Sequence, residues 1–309
     1  MHGSDYIANG EKYRRKKMGN NFYLCYETSG DAKSPCILLI PGLGGQLIHW
    51  PQSFVDKLVA EGFYVIRYDN RDAGQSKNFK ELGEPSMADL MQGKISSIPY
   101  TLDDMANDAA ALLDELGIER ANIIGASMGG EIAQLVAINH PDKVASLTCI
   151  MSTSGEKELP ASSDKVNKLL MQPSGSIENK IALYEVYTHP NHFNRDEFLE
   201  LATKLTERNR DPSGFIRQII AKAVAEPRVE KLKQITIPAL IIHGDYDPVF
   251  PVEHGKRLAE VIPNAQLVEI PELGHTLPNK MCKTIANNIT TFYRNILGED
   301  SVNESRPKI

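Results

Sequence analysis

Residues 121–130 read Ala121-Asn122-Ile123-Ile124-Gly125-Ala126-Ser127-Met128-Gly129-Gly130. Ile123 and Ile124 are β-branched and apolar, as a parallel strand covered on both faces requires. Gly125, Gly129 and Gly130 remove side chains where a strand turning sharply into a helix would crowd the backbone. From Glu131 onward, Ile132, Leu135 and Val136 follow the helical period, and the run ends at His140, before Pro141. The spacing therefore predicts a buried strand, a tight turn carrying one serine, and a helix. Such a turn lifts the serine Oγ above the sheet, at the positive end of the helix dipole. Gly-x-Ser-x-Gly alone is a weak signal, and its meaning depends on what the rest of the chain supplies.

On the N-terminal side, Cys36-Ile37-Leu38-Leu39-Ile40 is a fully apolar strand that runs into Pro41-Gly42-Leu43-Gly44-Gly45-Gln46. Phe54, Leu58 and Val59 mark an amphipathic helix, and Phe63-Tyr64-Val65-Ile66 a further buried strand. The loop from Arg67 to Ser76 follows, then an irregular polar stretch from about Lys77 to Pro99. Thr101, with Asp104 three residues on, caps a helix reaching about Leu116. Beyond the serine turn and its helix, Val144–Met151 reads as another strand. Strands alternating with helices argue for a mostly parallel sheet with helices on both faces.

The alternation breaks after Ser152 and resumes at Ile237-Pro238-Ala239-Leu240-Ile241-Ile242. Between them the sequence is helical and charged, with turns at Gln172-Pro173-Ser174-Gly175 and Asp211-Pro212-Ser213-Gly214. Residues 153–234 are thus expected to form a helical lid inserted into a sheet domain made of residues 11–152 and 235–298. Residues 1–10 and 299–309, polar and outside the pattern, are expected to be flexible ends.

Composition narrows the function. The 309 residues can bury one large core with a smaller subdomain, and 41% hydrophobic with 24% charged residues is ordinary for a globular chain. A net charge of −6 disfavours nucleic acid and anionic membrane surfaces as partners. No 18-residue apolar run and no N-terminal apolar signal segment occur, and the scattered Cys25, Cys36, Cys149 and Cys282 suit buried thiols in a reducing compartment. A cytoplasmic location is expected. No metal, nucleotide or organic cofactor is implied, because no Gly-x-Gly-x-x-Gly follows the first strand and no His/Cys cluster has metal-ligand spacing.

Acyl transfer through serine needs a base for the hydroxyl proton, an acid to orient the base, and donors for the developing oxyanion. Three loops at strand carboxyl ends offer these groups. Pro41-Gly42-Leu43-Gly44-Gly45 presents backbone amides, Gly244-Asp245-Tyr246-Asp247-Pro248 a carboxylate, and Gly274-His275-Thr276 an imidazole. Composition does not choose between Asp245 and Asp247. Pro248 holds Asp247 extended, which favours it, whereas Asp245 directly follows Gly244 and suits a turn-stabilising role.

With this order of oxyanion loop, serine, acid and histidine, the chain resembles the α/β-hydrolase superfamily from about Phe22 to Ile296. Within it, the chain is similar to the lid-bearing esterases that include aclacinomycin methylesterase. That likeness is carried by Arg67-Tyr68-Asp69-Asn70-Arg71-Asp72-Ala73-Gly74, Tyr100-Thr101-Leu102, Gly125–Gly130 and Asp211-Pro212-Ser213-Gly214-Phe215. Many relatives carry His-Gly where this chain has Pro41-Gly42, a difference that leaves backbone donors intact. The resemblance implies the α/β-hydrolase fold, with Ser127 as nucleophile, His275 as base, Asp247 as its orienting acid, and the Leu43 and Met128 amides as the oxyanion hole. It implies a serine hydrolase acting on a small-molecule carboxylic ester, with short to medium acyl or methyl esters cleaved through an acyl-enzyme. A thioesterase, a carbon–carbon bond hydrolase, a cofactor-free perhydrolase or a slow-turnover ligand receptor shares these residues.

Neighbouring residues have plainer readings. His243 precedes the acid turn and reads as a strand-end structural histidine; Asp69 and Arg71 read as groups that tie down their own loop. Gln46, His49 and Trp50 read as packing residues, with Gln46 a candidate pocket group. Glu156 and Glu158 occupy the place where some relatives put the acid. Leu169, Leu170 and Met171 are the apolar lid residues that could face the pocket or equally form the lid's own core, and the sequence does not separate the two.

Overall fold

The computed structural model describes residues 4–8, 11–17, 22–95, 97–170, 176–208 and 211–297. The chain begins with strands β1 (Ser4–Ala8), β2 (Glu11–Lys17), β3 (Tyr23–Ser29) and β4 (Cys36–Ile40). Then follow α1 (Gln52–Ala60), β5 (Tyr64–Tyr68), α2 (Met87–Met91), α3 (Leu102–Glu115), β6 (Ala121–Ala126), α4 (Met128–Asn139) and β7 (Val144–Ile150). Helices α5 (Asp164–Leu170), α6 (Ile177–Tyr187), α7 (Arg195–Arg208), α8 (Ser213–Ala223) and α9 (Val229–Leu232) come next, with no strand among the described residues between them. The chain closes with β8 (Ala239–Gly244), α10 (Glu253–Val261), β9 (Gln266–Ile270) and α11 (Asn279–Leu297).

The nine strands form one sheet in the order β1-β2-β3-β5-β4-β6-β7-β8-β9. The pairs β1/β2, β2/β3 and β3/β5 are antiparallel, and every pair from β5 through β4 to β9 is parallel. Side chains alternate across a strand, so each parallel strand feeds two cores. Leu38, Ile40, Ile66, Ile123 and Ile241 pack on one face with α3 and α4. Ile37, Leu39, Val65, Ile124 and Ile242 pack on the other with α1 and α11. The near-continuous apolar runs read from the sequence thus come from strands buried on both faces. As expected, Thr101 caps α3: its Oγ1 accepts the Asp104 N–H at 3.2 Å, and Asp104 Oδ2 accepts the Thr101 N–H at 2.8 Å.

The expectation of a flexible stretch at residues 1–10 needs correction. Ser4–Ala8 pairs antiparallel with β2, Ser4 opposite Arg15 and Ala8 opposite Glu11. Sheet pairing satisfies backbone groups whatever the side chains, so a polar segment beside a strand edge can be recruited without an apolar pattern. Residues 299–309, the other expected flexible end, lie outside the described residues. The polar stretch read as irregular contains the short α2, capped by Ser86, whose Oγ accepts the Asp89 N–H at 3.1 Å.

Candidate active site

Ser127 sits between β6 and α4 with φ 55° and ψ −125°, a backbone region that costs a non-glycine residue about 1–3 kcal/mol. Its surroundings hold it there. The Ser127 N–H donates to Ile150 O at 3.0 Å, and Ser152 Oγ donates to Ser127 O at 2.9 Å. The turn is too tight for side chains on its flanks: a Cβ on Gly125 would lie 2.0 Å from Gly129 O, and one on Gly129 would lie 2.1 Å from Ile40 O. The glycines predicted to relieve crowding are thus required by contacts within the elbow, at Gly125, with β4, at Gly129, and with Ser152, at Gly130.

The residues expected to act together converge at the carboxyl end of the sheet. Ser127 Oγ lies 2.8 Å from His275 Nε2, and His275 Nδ1 lies 2.7 Å from Asp247 Oδ2. The buried Asp247 accepts two further bonds at Oδ1, from the Val249 N–H at 2.8 Å and the Phe250 N–H at 2.9 Å. With Oδ1 so occupied, Oδ2 is directed at the imidazole, and the Nδ1–H tautomer leaves Nε2 free to accept from Ser127. Asp245 lies elsewhere, its Oδ1 accepting the Glu272 N–H at 2.7 Å. His275 is placed by its own N–H, which donates to Tyr187 O at 2.6 Å, and by the edge-on rings of Tyr187 and Phe250, 5.7 and 5.5 Å away. His243 lies behind the acid. Its Nε2 donates to Phe250 O at 2.7 Å, and burial holds its pKa below the usual histidine range.

The Pro41–Gly45 loop packs directly on Ser127, since a Cβ on Gly42 would meet Ser127 Cβ at 3.1 Å. No protein acceptor takes the Leu43 or Met128 amide among the described residues. Residues that sequence reasoning missed lock this loop. Asn70 Nδ2 donates to Pro41 O at 2.9 Å, the Gly44 N–H donates to Gln218 Oε1 at 2.7 Å, and Gln218 Nε2 donates to Arg71 O at 2.6 Å. Gln218 belongs to α8, so the helical insertion grips the loop beside the serine.

Two buried ion pairs fasten the same helices to the loop after β5. Arg217 is fully buried, forks across Asp72 at 2.7 and 2.8 Å, and reaches Asp211 Oδ2 at 2.5 Å. Arg208 lies 3.0 Å from the buried Asp69, whose carboxylate also accepts the Leu47 and Gln75 N–H groups at 2.8 Å each. Asp69 thus holds its own loop, as read, and anchors the insertion as well. Arg71 pairs with Asp108 at 2.6 Å. Asp211 was legible in a turn, and Asp69 and Asp72 in a loop, but no local signal marks Arg208 or Arg217 as their partners, or Gln218 as the partner of Gly44 and Arg71.

A cavity of about 1220 Å³ opens between Ser127 and the insertion. Leu43, Leu169, Leu170, Leu205 and Phe215 line it, with Ser127 and His275 at its base. Leu169 and Leu170 therefore face the cavity, while Met171 lies outside the described residues. Gln46 lines it too, bonded to Leu205 O at 2.9 Å. Glu156 is tied to Arg257 at 2.9 Å and to Ser154 at 2.7 Å, whereas His275 Nδ1 is engaged by Asp247. All four cysteines are buried and free, and no helix among the described residues is long and apolar enough to cross a membrane.

A sheet of this order, carrying a serine on a strand-to-helix elbow, defines a class, and the chain belongs to the α/β-hydrolase fold family, whose model matches residues 35–278. It is an enzyme of that superfamily. Among its relatives, rhodomycin D methylesterase DauP of Streptomyces sp. (strain C5) is 28% identical over 87% of this chain and 94% of its own. The 3-oxoadipate enol-lactonase 2 of Acinetobacter baylyi is 29% identical over 82% of this chain and 86% of its own. The solved structure of a serine hydrolase from Cycloclasticus zankles superposes with a TM-score of 0.73 at 20% identity, covering 93% of this chain and 99% of that one.

Proposed function

We propose that the chain is a serine carboxylic-ester hydrolase working through an acyl-enzyme, with Ser127 as nucleophile, His275 as base and Asp247 as orienting acid. The observation that carries this reading is the unbroken hydrogen-bond path from Ser127 Oγ through His275 to Asp247, at the base of a cavity. In this reading Ser127 attacks the ester carbonyl as His275 Nε2 takes its proton. The Leu43 and Met128 amides, adjoining the serine and at the start of α4, receive the oxyanion. His275 returns the proton to the departing alcohol, then activates the water that clears the acyl group.

The substrate class follows from size and kinship. The cavity exceeds the ~300–1,000 Å³ of common small-ligand pockets. A methylesterase relative supports a small alcohol on a bulkier acid, within the broader class of methyl and short to medium acyl esters. Residues 153–234 serve in this reading as the lid subdomain on a core of residues 11–152 and 235–298, and the partner is a small-molecule ester.

The test pairs Ser127→Ala with mass spectrometry of the wild type quenched during turnover of p-nitrophenyl butyrate. The variant is expected to lose several orders of magnitude in kcat, and the wild type to carry a butyryl group on the Ser127 peptide. Retention of more than about a tenth of the activity by Ser127→Ala overturns the mechanism, because loss of a serine nucleophile leaves only ~10³–10⁴-fold over water. A single burst without turnover marks a receptor on the same fold.

A further inference from the structure

On the far side of the loop that carries His275, three side chains meet that the proposed chemistry does not use. His189 and His192 lie on the turn after α6, where the His192 and Phe193 N–H groups donate to His189 O at 2.8 and 3.0 Å. Glu272 lies on the loop after β9. Its Oε2 is 3.0 Å from His192 Nε2 and 3.8 Å from His189 Nδ1, and one ligand atom from each residue falls within 4.8 Å of the others.

These separations match one kind of ligand. A tetrahedral ion bound by nitrogen and oxygen at ~2.0–2.1 Å sets its ligand atoms about 3.3 Å apart. The two edges to Glu272 straddle that value, and the edge between the two imidazoles is within 4.8 Å. The donors are also prepared. The Asn191 N–H donates to His189 Nδ1 at 3.2 Å, so Nδ1 is the unprotonated ring nitrogen, and an ion bound there takes its lone pair in place of this bond. Asn191 Nδ2 donates to Glu272 Oε1 at 2.9 Å, leaving Oε2 for the imidazoles. The Tyr246 ring meets His189 edge-on at 4.6 Å and fixes its plane. Glu272 adopts φ 61°, held by its N–H bond to Asp245. Its side chain is 42% exposed, so water reaches the cluster. Lys280 is the bordering cation, and its Nζ is engaged by Asn191 O at 3.0 Å.

We propose that His189, His192 and Glu272 form a binding site for a divalent transition metal of the zinc class, joining the turn after α6 to the loop that carries His275. Two imidazoles and one carboxylate suit zinc, nickel, cobalt or copper; calcium and magnesium require six or more oxygen ligands or ordered waters. The site is not part of the ester chemistry. It adjoins it, because Glu272 stands three residues before His275, and Tyr187, whose carbonyl positions His275, stands two residues before His189.

Isothermal titration of the full, EDTA-stripped chain with zinc chloride tests the proposal, beside His192→Ala and Glu272→Gln. Wild type is expected to bind one equivalent in the micromolar range and to melt at higher temperature with zinc present. Each variant should bind at least tenfold more weakly and lose that shift while melting like wild type without metal. Cobalt should give the visible bands of a four-coordinate ion in wild type alone. Equal zinc affinity in wild type and both variants places the metal on other histidines and overturns the assignment. Absence of binding at millimolar zinc, or equal binding of magnesium, overturns it too.

Discussion

Replacing Asp247 by asparagine changes one oxygen to an amide nitrogen and tests the site through the orientation that this amide must take. Two backbone donors, the Val249 and Phe250 N–H groups, point at Oδ1. The asparagine oxygen must stay there to accept them, which turns its NH2 toward His275 Nδ1 in place of Oδ2. Nδ1 then becomes an acceptor, the ring proton moves to Nε2, and Nε2 can no longer take the proton from Ser127. Flipping the amide restores the active tautomer only by setting NH2 against two N–H donors. Leaving two buried donors unpaired costs about 1–3 kcal/mol each, so the active form is disfavoured by roughly 2–6 kcal/mol. At tenfold per ~1.4 kcal/mol, kcat should fall by about thirtyfold to ten-thousandfold. Replacing the orienting aspartate of a serine-protease triad by asparagine costs ~10⁴ in kcat. The fold should survive, since both amide bonds at Oδ1 persist. Asp245→Asn is the control: its oxygen can still accept the Glu272 N–H, so kcat should stay within about twofold. Steady-state hydrolysis of p-nitrophenyl butyrate and thermal melting of both variants supply the readout. A loss below about tenfold in Asp247→Asn, or a dead Asp245→Asn, refutes the reasoning.

Gln218→Ala removes the acceptor of the Gly44 N–H and the donor to Arg71 O, freeing the loop that presents Leu43; kcat should fall about ten- to a hundredfold with KM little changed. An unchanged kcat would show that α8 does not tune the loop. Arg217→Leu strips the counter-charge from buried Asp72 and Asp211 and should destabilise the protein by about 3–5 kcal/mol in urea titration, whereas a loss under about 1 kcal/mol would contradict the burial of this cluster. Burial lowers the pKa of His49 to about 4, helped by the nearby Arg208 charge, and burial also lowers those of His243 and His254. From the ordinary ~6.5 down to about 4 an unfolded His49 binds a proton that the folded one refuses, so stability should drop as pH falls, by up to ~1.4 kcal/mol per unit, and His243 and His254 act in the same direction. Urea midpoints between pH 7 and pH 4.5 measure this, and His49→Gln should flatten the slope.

What was legible in the sequence was what short-range chemistry encodes. The elbow could be read because Gly125, Ser127 and Gly129 meet their geometric demand within five residues. The five inner strands could be read because burial on both faces leaves unbroken apolar runs such as Cys36–Ile40 and Ala239–Ile242. Asp247 could be preferred over Asp245 because Pro248 constrains its neighbour, and the two aspartates indeed engage different partners, His275 and the Glu272 N–H. Ser4–Ala8 was misread because an edge strand can be recruited by backbone pairing alone, which leaves no apolar signature.

The remaining unread features share a cause, and it bears on how the site is built. Arg208, Arg217 and Gln218 stand in a charged helical stretch, where arginine and glutamine ordinarily mark a solvated face. Their partners Asp69, Asp72, Gly44 and Arg71 lie more than 130 residues earlier, so no periodicity connects them. Each contact joins the helical insertion to one of two loops, Pro41–Gly45 or Asp69–Ser76, that follow adjacent parallel strands β4 and β5. The insertion therefore does more than cover the cavity. By holding Gly44 and the Arg71 carbonyl through one glutamine, it fixes the backbone of the loop that packs on Ser127. Variation in the insertion would accordingly alter the placement of that loop together with the cavity wall, so under the proposed mechanism substrate choice and oxyanion stabilisation are coupled through α8.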